Sequence, residues 1–84
     1  MLTDKKAEAA VEDLEKWAQS VVRSADPEAA ATLYYDGDSS TYVIRLARGS
    51  RVLLFRLSEA QVQTSGREKE CEETLKKKVS DLRR

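Results

Sequence analysis

The segment from Thr41 to Leu57, TYVIRLARGSRVLLFRL, limits the possible folds of this chain more than any other. Two runs rich in β-branched and aromatic residues flank Arg48-Gly49, and this pattern predicts a β-hairpin. Side chains alternate between the two faces of a strand, so the face with the larger apolar residues should be buried. That face carries Tyr42, Ile44, Leu46, Leu53, Phe55 and Leu57.

The pairing of the two hairpin strands follows from the same alternation. A loop with an even number of residues predicts that Ile44 lies opposite Leu53 and that Tyr42 lies opposite Phe55. A register shifted by one residue would move one apolar set to the wrong face of the sheet. The requirement that one face be buried therefore favours pairing between the two apolar sets.

The opposite face of the hairpin is unusually apolar for a surface in water. A preceding strand, Ala31–Tyr35, should complete the sheet and align Tyr34, Val43 and Leu54 in one row. If both helices pack on the other face, this face stays open, and an apolar patch with arginine and tyrosine around it is typical of interaction surfaces. The alternatives are that residues 58–65 or the N-terminus cover it, or that it is an ordinary exposed patch of the surface. We call this candidate interaction surface the outer sheet face: Tyr34, Val43, Arg45, Val52, Leu54 and Arg56.

Two amphipathic helices are predicted on either side of the strands. Apolar residues recur at spacings of three and four between Thr3 and Ser24, which is typical of a helix with one buried face. Thr3 or Asp4 can cap its start, and Asp26-Pro27 ends it because the residue before proline avoids helical backbone angles.

The last helix is predicted to span Glu68–Leu82. Ser65 and Glu68 fit a capping box at its start, whereas Ser58 and Gln61 could cap one helical turn in the connection before it. Its apolar stripe consists of Cys71, Leu75, Val79 and Leu82.

The predicted fold is α+β, with the element order α-β-β-β-α. Residues 1–84 are expected to form a single domain, a three-stranded antiparallel meander with strand 41–47 at its centre and two helices packed on one face. The side chains expected to be nearly fully buried are those of Trp17, Ile44, Leu53 and Phe55.

This element order resembles that of the double-stranded-RNA-binding domain, and the resemblance covers the whole chain. It implies two helices on one face of a three-stranded sheet. The basic cluster of that family would fall at Arg67-Glu68-Lys69-Glu70, where two glutamates interrupt it. The family's Gly-Pro-x-His loop would fall at Gly37-Asp38-Ser39-Ser40, which has neither proline nor histidine. The resemblance therefore implies the fold without the RNA contacts.

Composition argues against several classes of function. Fifteen basic and fifteen acidic residues give a net charge of zero, whereas dedicated nucleic-acid modules usually carry a positive excess. The chain has no histidine, the usual general base near neutral pH, so we do not expect an enzyme. The single cysteine, Cys71, is interpreted as a buried structural residue, because a nucleophile would need a base beside it.

No cofactor or metal is expected either. Asp36-Gly37-Asp38-Ser39-Ser40 imitates the start of a calcium loop, but the glycine and glutamate that must follow are replaced by Thr41 and Ala47. The start of the chain lacks the apolar core of a signal peptide, and no stretch approaches the roughly 20 apolar residues of a membrane span. We therefore expect a cytoplasmic protein without membrane contact.

These observations predict a small non-catalytic domain that forms a homodimer, or binds an unidentified protein, through the outer sheet face. The alternative is a weak nucleic-acid-binding module that uses the sheet arginines and the basic end of the last helix. That end carries Lys76-Lys77-Lys78 and Arg83-Arg84, which equally suit a solvated helix end. Nucleic acid is not the expected partner, because the net charge is zero.

Overall fold

The computed structural model describes residues 2–83, and it has the predicted α+β architecture. A three-stranded antiparallel sheet in the order β1-β2-β3 carries the helices on one face. Among the described residues, no helix is both long enough and apolar enough to cross a membrane. The elements are a 3₁₀ turn at Ala7–Ala10, α1 at Val11–Ala25, β1 at Ala30–Asp36, β2 at Thr41–Arg48, β3 at Arg51–Ser58, α2 at Glu59–Gln63 and α3 at Glu68–Leu82.

The hairpin of β2 and β3 differs from the prediction by two residues in register. Ile44 lies opposite Phe55 and Tyr42 lies opposite Leu57, so the predicted partners are wrong. The faces are nevertheless as predicted, because a shift of two residues keeps every side chain on its own side of the sheet. The shift arises because the loop is Gly49-Ser50, where the positive φ of Gly49 (60°) suits the first loop position of a tight hairpin turn.

The first helix begins later than predicted, and its first residues are bound elsewhere. The Thr3 hydroxyl does not cap a helix but donates to Asp13 Oδ2 (3.0 Å). The Leu2 N–H donates to the Val62 carbonyl (3.2 Å), which ties this segment to α2. Ala7 then starts the 3₁₀ turn with a φ of 52°, and its N–H donates to Tyr42 Oη (3.0 Å). Tertiary contacts therefore outweigh the helix-forming pattern of these residues.

The last helix has the predicted bounds and the predicted buried stripe. Cys71, Leu75 and Val79 are each at most 1 % exposed, and Leu82 is 2 % exposed. Its start differs, because Ser65 forms no cap and the Gly66 N–H instead donates to the Glu68 carboxylate (3.1 Å).

The other capping box, predicted at Ser58 and Gln61, is present and begins the short helix α2. The Gln61 N–H donates to Ser58 Oγ, and the Ser58 N–H donates to Gln61 Oε1. Val62 lies in the core, so this connection packs on the same face of the sheet as α1 and α3.

The core lies between the inner sheet face and the helices, and it excludes three residues that were expected at its centre. Ile44 is fully buried, as predicted. Leu53, Phe55 and Trp17 are only partly buried against the core, so their predicted burial is wrong. Leu53 and Phe55 belong to β3, which among residues 2–83 pairs with β2 alone and forms an edge of the sheet. Trp17 lies at the margin because other side chains of α1, Leu14, Ala18, Val21 and Val22, take the central positions.

Candidate functional site

The strand pairing arranges the outer sheet face in rows across the three strands. Tyr34 lies opposite Val43, and Val43 lies opposite Arg56. Leu54 lies opposite Arg45 in the next row, so the predicted row of Tyr34, Val43 and Leu54 is wrong. All six predicted residues still share one face, because the two-residue register shift preserves the alternation.

Exposure divides the apolar residues of this face into two kinds. Tyr34, Val52 and Leu54 are 55 %, 51 % and 60 % exposed, and they are the large apolar side chains exposed among residues 2–83. Val43 is only 2 % exposed although it points outward. It belongs to the central strand, where neighbouring side chains cover it on both sides. Val43 is therefore the base of the surface, and Leu54 and Tyr34 are its projecting parts.

The outer sheet face also has a shape. Val43 lies in an open concavity of about 370 Å³, whose other lining residues are Tyr34, Leu54, Phe55 and Arg56. Within residues 2–83, neither of the two segments considered as covers occupies it, since Val62 of α2 packs in the core and Leu2 is bound to α2. The concavity is thus open to another molecule.

The two arginines of the face differ in their surroundings. Arg56 Nη1 donates to Asp36 Oδ2 (2.9 Å), Thr41 Oγ1 (2.9 Å) and Ser39 Oγ (3.1 Å), which fixes its side chain. The hydrogen bond from Arg56, followed by that from Ser39, lowers the pKa of Asp36. Arg45 is exposed and has no ion pair with any residue of the described chain. Arg56 is therefore held at the rim by hydrogen bonds, and Arg45 is an exposed charge opposite Leu54.

The two other candidates from the sequence, Asp36 in the calcium-like loop and Cys71, form contacts that stabilise the fold. The carboxylate of Asp36 accepts hydrogen bonds from its own loop and from Arg56. Within residues 2–83, no group of three histidine, cysteine or acidic residues is arranged to hold a metal ion. Burial, followed by the charge of Glu70, raises the pKa of Cys71, whose Sγ lies 3.7 Å from the Gln61 carbonyl oxygen. A buried thiol with a raised pKa is a poor nucleophile.

The basic end of α3 is interleaved with acidic partners. Lys76 Nζ lies 3.9 Å from Glu72 Oε1, and Arg83 Nε lies 3.6 Å from Asp26 Oδ2. Lys77 and Lys78 form no ion pair with any other described residue, and Arg84 lies outside the described residues. The charges of Lys76 and Arg83 are therefore partly offset by acidic neighbours.

The sequence analysis did not predict that side chains of α1 bind the β1 edge of the sheet. At the β1 edge, the Leu33 N–H donates to Glu15 Oε2 (3.0 Å), and the Ala31 carbonyl accepts from Gln19 Nε2 (3.4 Å). Glu15 and Gln19 are one turn apart on α1, next to its apolar stripe. That spacing is the signal that could have indicated their role, once α1 was known to run beside β1.

Comparison with known proteins gives no significant similarity to a protein-family model, to a curated protein or to a solved structure. The observed order, a helix followed by three antiparallel strands and then helices, is compatible with the predicted element order.

Proposed function

We propose that this chain is a non-catalytic protein-interaction domain that forms a homodimer through its outer sheet face. One observation carries the proposal: the large apolar side chains exposed among residues 2–83 all lie on this face. Single exposed apolar residues are ordinary on protein surfaces, whereas a cluster around a concavity marks an interface. A cytoplasmic location is part of the proposal, and the free, buried Cys71 is compatible with it because the fold needs no disulfide.

A second copy of the chain is the partner that the surface favours. The net charge of zero removes the general repulsion that keeps strongly charged proteins apart. A two-fold contact uses the same patch on both copies, so it would bring Leu54 and Val52 of each copy against apolar surface of the other. Arg45 and Tyr34 would lie at its margin, where residues of these types are common in interfaces.

The proposal is tested by measuring self-association of the wild type and of the Leu54→Asp variant. Burying a leucine side chain stabilises an interface by about 1.5–3 kcal/mol, and about 1.4 kcal/mol corresponds to a tenfold change in affinity. Leu54→Asp should therefore weaken dimerisation at least tenfold in sedimentation velocity and light scattering over a range of concentrations. The monomer should remain folded, because Leu54 is 60 % exposed.

Two further variants serve as controls. Ser20→Asp makes the same change in charge at an exposed position on α1 and should leave dimerisation unchanged. Ile44→Asp puts a carboxylate into the core and should unfold the domain. The proposal is wrong if the wild type remains monomeric at millimolar concentration, or if Leu54→Asp unfolds the chain as Ile44→Asp does.

Weak binding of nucleic acid is the second candidate function. It is supported by the element order, which resembles the double-stranded-RNA-binding domain, and by Arg45, Lys77 and Lys78, which form no ion pair within the described chain. Glutamates at the start of α3 and the net charge of zero oppose it. In a gel-shift assay at physiological salt, binding to an RNA duplex should be no tighter than roughly 0.1 mM. Submicromolar, salt-sensitive binding would instead favour this second function.

A further inference from the structure

The two edges of the sheet differ in how their backbone groups are bonded. On β1, Glu15 of α1 accepts from the outward Leu33 N–H, and Gln19 of α1 donates to the outward Ala31 carbonyl. On β3, no side chain within residues 2–83 binds the backbone of Val52, Leu54 or Arg56. An open strand edge is a template on which another strand can pair.

The hairpin geometry identifies which backbone groups of β3 are open. Arg48 and Arg51 flank the two-residue loop, so they exchange both of their backbone hydrogen bonds. Alternation along an antiparallel ladder then directs the backbone N–H and C=O groups of Leu53 and Phe55 toward β2 as well. The N–H and C=O groups of Val52, Leu54 and Arg56 consequently point away from the sheet and are available to a further strand.

The side chains beside this edge match those of a second β3 running antiparallel to the first. If the two strands are centred on Leu54, the two Leu54 side chains meet on the outer sheet face. On the inner face, Leu53 of each copy then lies opposite Phe55 of the other. Both residues are only partly buried in the single chain, so this pairing would cover apolar surface that the monomer leaves in water.

The charges also suit this register. Each Arg56 lies opposite Val52 of the second copy, so no two like charges face each other directly. By the same count, Arg51 of each copy lies opposite Leu57 of the other, which carries no charge. Sliding one strand by four residues would place the two Arg56 side chains opposite each other.

We infer that two copies of this chain pair through their β3 edges, antiparallel and centred on Leu54, so that two three-stranded sheets become one continuous sheet. The inference rests on the homodimerisation proposed above and moves the contact to the β3 border of the outer sheet face, where the two Leu54 side chains meet. It differs from stacking of two outer sheet faces, in which the backbone of β3 would take no part. The test must therefore detect the register and the backbone hydrogen bonds separately.

Cysteine cross-linking tests the register. A mixture of the Val52→Cys and Arg56→Cys variants should form a disulfide-linked dimer on mild oxidation, because hydrogen-bonded partners lie about 5.5 Å apart at Cα. Each variant alone should not, because its two copies of the new cysteine would be four positions apart, roughly 13 Å at about 3.3 Å per residue. The wild type, whose Cys71 is buried, is the control for the native thiol. Cross-linking of Val52→Cys alone as efficiently as the mixture would overturn the register.

Proline substitution tests the backbone contact. Leu54→Pro removes an N–H that points to the open edge, and an edge strand tolerates this loss. Leu54→Ala removes the side chain but keeps the N–H. Edge pairing predicts that the proline variant dimerises at least tenfold more weakly than the alanine variant, whereas stacked faces predict equal affinities. Circular dichroism confirms that each variant is folded, and if Leu54→Pro is not, the cross-linking result decides.

The outcomes separate the inference from the proposed function. A dimeric wild type with no cross-link in the mixture, or with equal effects of proline and alanine, refutes edge pairing and leaves the homodimer standing. A wild type that is monomeric at millimolar concentration refutes the homodimer itself. A cross-link in the mixture alone, together with the additional loss in the proline variant, supports both.

Discussion

Replacing Tyr42 by phenylalanine tests how the N-terminal segment is held on the sheet. The ring is fully buried and would stay in place, but the variant loses the oxygen that accepts the Ala7 N–H at 3.0 Å. A buried donor left without its partner costs about 1–3 kcal/mol, and this bond is part-buried, so we expect a loss of about 1–2 kcal/mol. For a chain of this size, each kcal/mol lowers the melting temperature by roughly 4–8 °C.

The assay is urea unfolding followed by Trp17 fluorescence and circular dichroism. Tyr35→Phe is a matched control, because its ring packs against Tyr42 (centroids 5.2 Å apart) and its hydroxyl forms no hydrogen bond within residues 2–83. The control should stay within about 0.5 kcal/mol of the wild type. If the two variants unfold at the same urea concentration, the hydroxyl of Tyr42 does not stabilise the fold and the reasoning fails.

Alkaline pH gives a second measurement on the same residue. Burial raises the pKa of Tyr42 above its ordinary value of 10.0, so the phenol of the unfolded chain ionises first. The free energy of unfolding should therefore fall as pH rises above about 10 and through the pKa of the folded state. Tyr42→Phe should lack this part of the pH dependence, which is visible as a smaller loss of stability between pH 9 and pH 11.

Two further predictions concern two buried residues, Asp26 after α1 and Cys71 in α3. The hydrogen bond from the Glu28 N–H lowers the pKa of Asp26 despite its burial, and Arg48 lowers it further. The free energy of unfolding should therefore decrease as pH falls from about 3.8 through the lower folded pKa, and Asp26→Asn should remove that decrease whereas the exposed Asp38→Asn should not. Cys71 is 1 % exposed, so a thiol reagent should label it slowly in the native protein and rapidly in urea. Equal labelling rates would show that the stripe of α3 is misplaced.

The spacing of apolar residues predicted those parts of the fold in which a single helix or strand buries one face. The bounds of α3 and the burial of Cys71, Leu75 and Val79 are as expected, because a helix with one apolar stripe has one way to face the core. The faces of β2 and β3 are correct for the same reason. The first turn of the N-terminal helix was not predictable in this way, because Thr3 binds Asp13 and Leu2 binds α2, contacts that exist only in the folded chain.

The sequence predicted which six residues share the outer sheet face, but not which of them lie opposite one another. Alternation places residues on a face, yet it does not distinguish registers that differ by two. Position within the sheet then decides exposure: Val43 in the central strand is covered, whereas Leu53 and Phe55 in the edge strand are only partly covered. The bonding of the β1 edge by Glu15 needs knowledge of where α1 lies, so no pattern within β1 itself indicates it.

The side chains that bind the β1 edge also set an upper limit on assembly. A sheet made by joining two β3 strands would end on both sides in β1, where the outward Leu33 N–H is bonded to Glu15 and the outward Ala31 carbonyl to Gln19. A third copy would have to displace these two side chains before it could pair with β1, so edge pairing would favour a closed pair. A chain with two open edges could instead add copies indefinitely, as fibrils do. Glu15 and Gln19, one turn apart on α1, would thus limit strand pairing to the β3 edge.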